Sequence, residues 1–360
     1  MAERKSPAAT PGSSSRIAEG ITAWLAPGAG WGQSNAALIC GQGSSLLVDT
    51  LWDLEHTEAM LDGLGPAIAA APIEQVVNTH SDGDHWHGNQ LAGARQIIAS
   101  KSAARSMKRH GRGEIRALGS VAGLCRFLGA MPIPGRAEWR AASFYLEDMV
   151  RPFDFSGIRP VLPNLTFSGK LKLDVGGREV LLIEVGPAHT LGDVVVHVPD
   201  ARAVMAGDIL FLGSTPVLWD GSARNWIHAC ERILQLKPEV VVPGHGPLTD
   251  MAGVDLVRHY WQFLRSAVRR HFERGRPALD AALRIVRSDE FLKQPFAGWG
   301  WRERTVINVE AIYRRLAGRS RRIGRLDRLR LMRQTAVMYE ELARQAPAIR
   351  SEPAPEAPAS

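Results

Sequence analysis

The run NTHSDGDHWHGN, residues 78–89, gathers His80, Asp82, Asp84, His85 and His87 within eight positions. It follows a short apolar stretch, IEQVV, that reads as a buried strand. Side chains two apart in an extended segment point the same way, so His80, Asp82 and Asp84 can converge. A turn at Gly83 then swings His85 toward a second point. Imidazole nitrogen and carboxylate oxygen together make a ligand set for a divalent transition metal. One such residue alone would read as a polar turn, with Asp84 capping a helix. Five of them so close together argue for a metal.

Three further pieces sit at the ends of strand-like runs. EVGPAHTLGD (184–193) carries His189, MAGDILF (205–211) carries Asp208, and VVPGHGP (241–247) sets His245 between glycines that permit close approach. With the first cluster they make four His and three Asp, enough donors for two metal ions with an Asp left over to bridge them.

The order H-x-[HED]-x-D-H, then a His in GxxHTxGD, an Asp after Gly and a His in PGHGP, resembles the metallo-β-lactamase-fold hydrolases over residues 20 to 250. The resemblance implies an α/β fold, a four-layer αββα sandwich with metals at one edge. Carried over position by position, it implies that His80, Asp82 and His189 hold one metal, that Asp84, His85 and His245 hold the other, and that Asp208 bridges. Asp49, in LLVDT, matches the family's early strand-end Asp, which supports the site without binding metal. Asp82 is a departure, since most members have His there. Carboxylate-rich sites lean toward Fe or Mn and imidazole-rich ones toward Zn, and the family's flavodiiron branch has Glu at this position. Two divalent ions are therefore expected, zinc as first choice and iron or manganese as alternatives. His87 is read as lining the pocket.

Two metals a few ångströms apart can hold a hydroxide between them, bring its pKa near neutrality and polarise a carbonyl or phosphoryl oxygen. Asp84 would orient that hydroxide, and His87 or a backbone N–H would help steady the oxyanion. The expected activity is a dinuclear metal-dependent hydrolase acting through a metal-bridging hydroxide on a small ester, thioester, lactone or amide. A nuclease or phosphodiesterase of the same fold is one alternative, and its only support is the nine arginines within 313–333. Leu and Ile recur there at helical spacing, which favours an amphipathic helix with a solvated basic face. A di-iron redox protein would suit Asp82, but no flavodoxin-like domain or rubredoxin-type cysteines accompany it. GxSxG, Walker and GxGxxG motifs are lacking, so neither a serine nucleophile nor a nucleotide cofactor is expected.

The elements that must position these residues come in two batches of strands, each followed by helix, within a 16–250 domain. AALIC, a GQGS turn and SLLVDT read as a hairpin, and 54–65 has helical spacing. Residues 101–165, with Pro132, Pro134, Pro152, Pro160 and Pro163, read as a long, irregular, partly helical insertion and a lid. Trp139 and Phe144 in that lid, with Trp31, Trp86 and Trp219, are the candidate substrate-pocket residues. Residues 251–345 read as a helical C-terminal extension. Residues 1–15 and 346–360 read as a disordered leader and tail.

The chain has 360 residues, 45% hydrophobic and 22% charged, which fits a globular protein and excludes a disordered chain or a fibre. The net charge is +7, from 37 Arg and only 7 Lys against 37 acidic residues, an imbalance that codon bias explains. No stretch reaches the roughly 20 apolar residues of a membrane span. There is no secretory signal, and three scattered cysteines give no disulfide framework, so a cytoplasmic location is expected. The expected partner is a small-molecule substrate, not nucleic acid or membrane, and no oligomeric state follows from the sequence.

Overall fold

Alternate residues along the strands face two different cores, which sets the layering. In Val194–Val198, Val194, Val196 and Val198 join one core and Val195 the other. In Ala36–Cys40, Ala37 and Ile39 face inward while Ala36 and Leu38 face out. Such two-sided burial is the period-2 pattern of strands covered on both faces. The computed structural model describes residues 12–319 and 324–344.

One sheet holds β1 (Ser13–Ala18), β2 (Ile21–Leu25), β3 (Ala36–Cys40), β4 (Ser45–Val48), β5 (Ile73–Val77), β6 (Gln96–Ser100) and β7 (Leu165–Phe167), in that order. Its pairs are antiparallel up to β4 and parallel from β4 to β7. The other holds β8 (Lys170–Val175), β9 (Arg178–Glu184), β10 (Val194–Val198), β11 (Ala203–Phe211) and β12 (Val240–His245), in the order β12-β11-β10-β9-β8. Only β11 and β12 run parallel there. Ile21, Ile39, Val48, Val77 and Ile98 of the first sheet meet Leu182, Val194, Val196, Met205 and Val242 of the second in the inter-sheet core.

Helices α1 (Leu54–Gly63) and α2 (Gly65–Ala70) cover the first sheet, where Met60 and Leu64 pack on Leu38, Leu47 and Val76. The expected irregular insertion is largely two helices, α3 (Lys101–Ala130) and α4 (Arg136–Val150). Ser100 caps α3 by accepting from Ala103 N at 3.0 Å. The prolines that suggested irregularity fall outside both helices. Pro132 and Pro134 occupy the break between them, and Pro152, Pro160 and Pro163 follow α4.

Helices α5 (Ala223–Gln235) and α6 (Met251–Glu273) cover the second sheet, burying Trp226, Ile227, Val254, Val257 and Trp261 against Val195, Val204 and Ala206. These four layers make the αββα sandwich. The same core continues without a break into α7 (Ala278–Arg287), α8 (Asp289–Leu292) and α9 (Thr305–Leu316) through Ile285, Phe291, Phe296, Val306 and Ile307. Residue 250 therefore marks no gap in packing. Helix α10 (Arg325–Ala343) buries Ala336 against Ala142, Tyr145 and Leu146 of α4. Part of the expected leader is strand instead: Ser13 pairs with Leu25 and Ser15 with Ala23. The rest of it through residue 11, and the tail 346–360, lie outside the described residues. Among the described residues no helix is long and apolar enough to cross a membrane.

Candidate metal centre

His80, Asp82, Asp84 and His85 follow β5, His189 lies between β9 and β10, Asp208 is in β11, and His245 ends β12. The fold brings their donor atoms together as three overlapping groups: His80, Asp82 and His189; His80, His85 and Asp208; and Asp84, His85 and His245. Within each group the donor atoms lie within 4.8 Å of one another. Asp208 is central. Its Oδ2 lies 3.3 Å from His189 Nε2 and 3.7 Å from His80 Nε2, and its Oδ1 lies 3.1 Å from His85 Nε2 and 3.4 Å from His245 Nε2. One carboxylate thus faces a pair of imidazoles with each oxygen. Asp82 Oδ2 stands 3.1 Å from His189 Nε2, and Asp84 Oδ2 stands 3.4 Å from His245 Nε2 and 3.6 Å from His85 Nε2. A Cβ at Gly244 would collide with Asp208 Oδ1, so the glycine before His245 is needed for β12 to approach β11 here.

The outward nitrogens explain the orientation of the rings. His189 Nδ1 donates to Val217 O at 2.6 Å, His245 Nδ1 to Gln33 O at 2.9 Å and His85 Nδ1 to Asp49 Oδ2 at 2.8 Å. With a carbonyl or carboxylate oxygen accepting at each Nδ1, Nε2 is the nitrogen that faces the centre. Thr79 Oγ1 donates to Asp49 Oδ2 at 2.8 Å, which leaves its lone pair for His80 Nδ1–H at 3.0 Å. Asp49 also accepts from Thr79 N at 2.7 Å, so it braces both strand-end histidines and lies outside the donor groups. A ring that donates Nδ1–H to a carboxylate or carbonyl while Nε2 faces inward is the arrangement in which metal-ligating histidines are held.

The residues fit divalent cations on two further observations. His80 Nε2, His85 Nε2 and Asp208 Oδ1 are buried and lack a partner in hydrogen-bond geometry. Such atoms cost free energy unless something coordinates them. The charge balance also calls for cations, because three carboxylates converge in a site where His80, His85, His189 and His245 are buried. Burial pulls the His189 ring down, but the Asp82 hydrogen bond and the Asp208 charge overcome this and raise it to about 9. Burial pushes Asp208 up, yet the charges of His245, His85 and His80 hold it well below the usual carboxylate range.

The pocket residues expected from sequence fare differently. Trp31 lines a cavity of about 520 Å³ with Gln33, Ser34, Trp52, Phe153 and Trp301, and its ring lies 6.4 Å from that of Trp219. Trp219 N donates to His189 O at 3.2 Å, which ties the Trp219 backbone to the His189 loop. The cavity borders the Gln33–Ser34 loop, and none of the seven donors lines it. Trp86 is a core residue instead, fully buried with Ala99, Ala103 and Met107. His87 is also fully buried, behind Gly83 and against Trp86, so it neither joins a donor group nor lines the pocket. Burial takes its ring down to about 4, against the smaller upward pull of a backbone hydrogen bond with Trp52. Trp139 packs under Arg333 at 4.8 Å and Phe144 is 62% exposed on α4, so these two form no wall around the donor groups. The aromatics that reach the cavity from the insertion are Phe153 and, through Trp31 Nε1 at 2.8 Å, Tyr145.

A family model described as the metallo-beta-lactamase superfamily matches residues 29–245. The chain belongs to the metallo-beta-lactamase superfamily. Among solved structures with this superfamily's fold, the inverting sec-alkylsulfatase Pisa1 from Pseudomonas sp. aligns with a TM-score of 0.63 at 18% identity, covering 85% of this chain and 50% of that one. A metallo-beta-lactamase from Pontibacter korlensis aligns with a TM-score of 0.51 at 18% identity, covering 70% of this chain and 99% of that one. Curated relatives match in part. The 2,4-dinitroanisole O-demethylase subunit alpha of Nocardioides sp. is 34% identical over 82 residues, 22% of this chain and 25% of that protein. The acyl-coenzyme A thioesterase MBLAC2 of Homo sapiens is 27% identical over 120 residues, 32% of this chain and 37% of that protein. The chain thus spans only 25% to 37% of the length of these relatives.

Several residues that serve the site carried little sequence signal. Asp193 accepts from Ala188 N, Thr190 N and Thr190 Oγ1 at 2.8, 2.8 and 2.6 Å and so fixes the His189 loop. Its GD context in HTLGD was visible, but its role was not. Gln33 and Val217 act through backbone carbonyls, which have no residue signature. Asn308 accepts from Leu218 N at 2.8 Å and donates to Pro216 O at 2.8 Å, pinning the loop that receives His189.

Proposed function

We propose that this superfamily member is a dinuclear metal-dependent hydrolase of small esters and thioesters, with lactones and amides as further substrates. The observation that carries this reading is Asp208, whose two oxygens each face a pair of imidazole Nε2 atoms. His80, Asp82 and His189 would hold one cation, Asp84, His85 and His245 the other, with Asp208 between them. Cations held there supply Lewis acidity toward a carbonyl oxygen and make an adjacent water more acidic. Zinc is the first expectation, and Asp82 brings iron or manganese within range.

The remaining work falls to the chain. Asp84, on the His245 and His85 side, orients the attacking water by accepting its hydrogen bond. The Nδ1 acceptors keep each imidazole from rotating, so little reorganisation accompanies the reaction. Trp219, tied to the His189 loop, and Trp31 beside it offer an apolar surface for the substrate.

The thioester preference takes support from the partial likeness to the acyl-coenzyme A thioesterase. The nuclease alternative draws less support, because four of the nine arginines in 313–333 bond within the chain. Arg314 pairs with Glu310 and Asp327, Arg328 with Asp220, Arg333 with Glu138, and Arg315 donates to Gly221 O. Arg321 and Arg322 lie outside the described residues. The test is a panel of 4-nitrophenyl esters, acyl thioesters, lactones, sulfate esters and phosphodiesters, run on protein of known metal content. Turnover of an ester or thioester that chelation abolishes supports the proposal. Turnover of only sulfate esters or phosphodiesters would reassign the substrate class.

A further inference from the structure

The cavity beside the Gln33–Ser34 loop is walled by aromatic rings. Trp24 comes from β2, Trp31 from the loop after it, Trp52 from the loop before α1, Phe153 from the loop after α4 and Trp301 from the loop before α9. Five separate segments thus converge on one apolar space. Its volume of about 520 Å³ lies within the range of small-molecule sites, about 300–1,000 Å³. Two wall residues hold strained backbone: Trp301 has φ +59° and Leu51 has φ +37°. Bulky side chains rarely occupy the left-handed region, and such strain gathers at ligand sites.

The GAGWG loop (28–32) is shaped for those rings. A Cβ on Gly32, at φ +71°, would run into the Trp52 ring, and one on Gly30 would meet Trp301 Cζ2 at 3.0 Å. Both glycines let the backbone come close to the indoles. The rings are also held in place from outside the cavity. Tyr145 accepts from Trp31 Nε1 at 2.8 Å and donates to Glu303 at 2.9 Å. The buried Arg304 guanidinium lies 4.2 Å from the Trp31 ring centre and 5.0 Å from that of Trp301. Charged groups along the wall answer one another: His56 Nδ1 is 2.7 Å from Asp53 Oδ1, and Arg151 pairs with Asp148. A charged ligand would lose its hydration here without meeting an uncompensated charge.

We propose that this cavity binds a neutral aromatic group of one or two rings, packed against the indoles of Trp31, Trp52 and Trp301. Aromatic rings in offset or edge-to-face contact gain more than their buried area alone supplies. The wall already uses that geometry, since Trp52 meets Phe153 edge-on with ring centres 4.8 Å apart. None of the seven donors lines the cavity, so the site stands whether or not the hydrolase reading holds. Gln33 and Ser34 join the two places: both line the cavity, Gln33 O accepts from His245 Nδ1, and Ser34 Oγ donates to Asp84 O. The ring can belong to a substrate or to a second molecule that bears on the donors through this loop, and the experiment separates the two.

The test is calorimetry on the full-length protein with 2-naphthol as probe, 2-naphthoate as its charged counterpart and cyclohexanol as an aliphatic one. Wild type is compared with Phe153→Ala, Trp301→Gly and Phe144→Ala. Glycine at 301 removes the indole while suiting the positive φ. Phe144 lines a neighbouring cavity and not this one. Wild type should bind 2-naphthol at one site per chain with a Kd of about 1 mM or tighter. Phe153→Ala and Trp301→Gly should each weaken it about tenfold, Phe144→Ala should leave it unchanged, and the other two probes should bind about tenfold more weakly. Should Trp301→Gly fail to fold, Phe153→Ala decides the matter. No binding by wild type, equal affinity in the cavity variants, or a loss confined to Phe144→Ala overturns the site, and 2-naphthoate or cyclohexanol binding as well as 2-naphthol overturns the ligand class. A second arm adds 2-naphthol to an ester that the protein turns over. Competitive inhibition assigns the site to the substrate's own ring, and any other effect, or none, assigns it to a separate molecule. Turnover of no ester counts against the hydrolase reading and leaves the calorimetric result standing.

Discussion

Asp208 and His245 illustrate how the centre depends on single atoms. Asp208→Ala removes the one carboxylate shared by all four imidazoles, and His245→Ala removes a donor from the Asp84 and His85 side. Each variant should lose metal and activity together while keeping its helix and sheet content, as elemental analysis and circular dichroism will report. Asp82 makes a subtler case. It is the most solvent-accessible of the donors at 25% side-chain exposure, and it stands against His189. Asp82→His should shift occupancy toward zinc relative to iron and manganese in protein from the same growth medium. An unchanged metal profile would sink the idea that this residue sets the metal. The seven donors were legible in the sequence because each sits in a short motif at a strand end.

At the level of elements, the loop after α4 is tied to α1 through one buried carboxylate. Asp53 caps α1 by accepting from His56 N at 2.9 Å, takes the His56 ring at 2.7 Å and also accepts from Asp154 N at 2.9 Å. The hydrogen bond to Asp53 raises the His56 ring above its ordinary 6.5, against the opposing pull of burial. A raised folded value means the protonated ring stabilises the native state. That contribution is complete below the unfolded value and is lost as pH rises through the folded one. The stability gap between wild type and His56→Ala, read from denaturant titrations, should therefore be larger at pH 5.5 than at pH 9. An equal gap at both would break the link between this pair and the helix cap. Asp53 and His56 are ordinary loop and helix residues in sequence, so the tie was invisible. The helices of the 101–165 segment were hidden for another reason: its five prolines punctuate the ends of α3 and α4 but also lower the apparent helicity of any window that includes them. The strand periodicity of β3, β4 and β10 had no such interference and was read correctly.

Across the whole molecule, the helices after β12 serve the centre as well as the core. Asn308 on α9 is fully buried and holds Leu218 N and Pro216 O, in the loop that orients His189. Asn308→Ala should cost about 2 kcal/mol or more in stability, because both backbone groups lose their partner in the interior. It should also lower kcat/KM, whereas a change at the exposed Leu292, 52% accessible, should do neither. Differential scanning calorimetry together with kinetics on the best ester will separate the two. The proposed function requires the donors around Asp208 to hold two cations in one hydrolytic centre. The most direct measurement is a titration of zinc into chelator-treated protein, following ester or thioester hydrolysis against metal bound per chain. Activity rising to a plateau at two equivalents is the predicted result. Full activity at one equivalent, or the same activity with no metal bound, would contradict it.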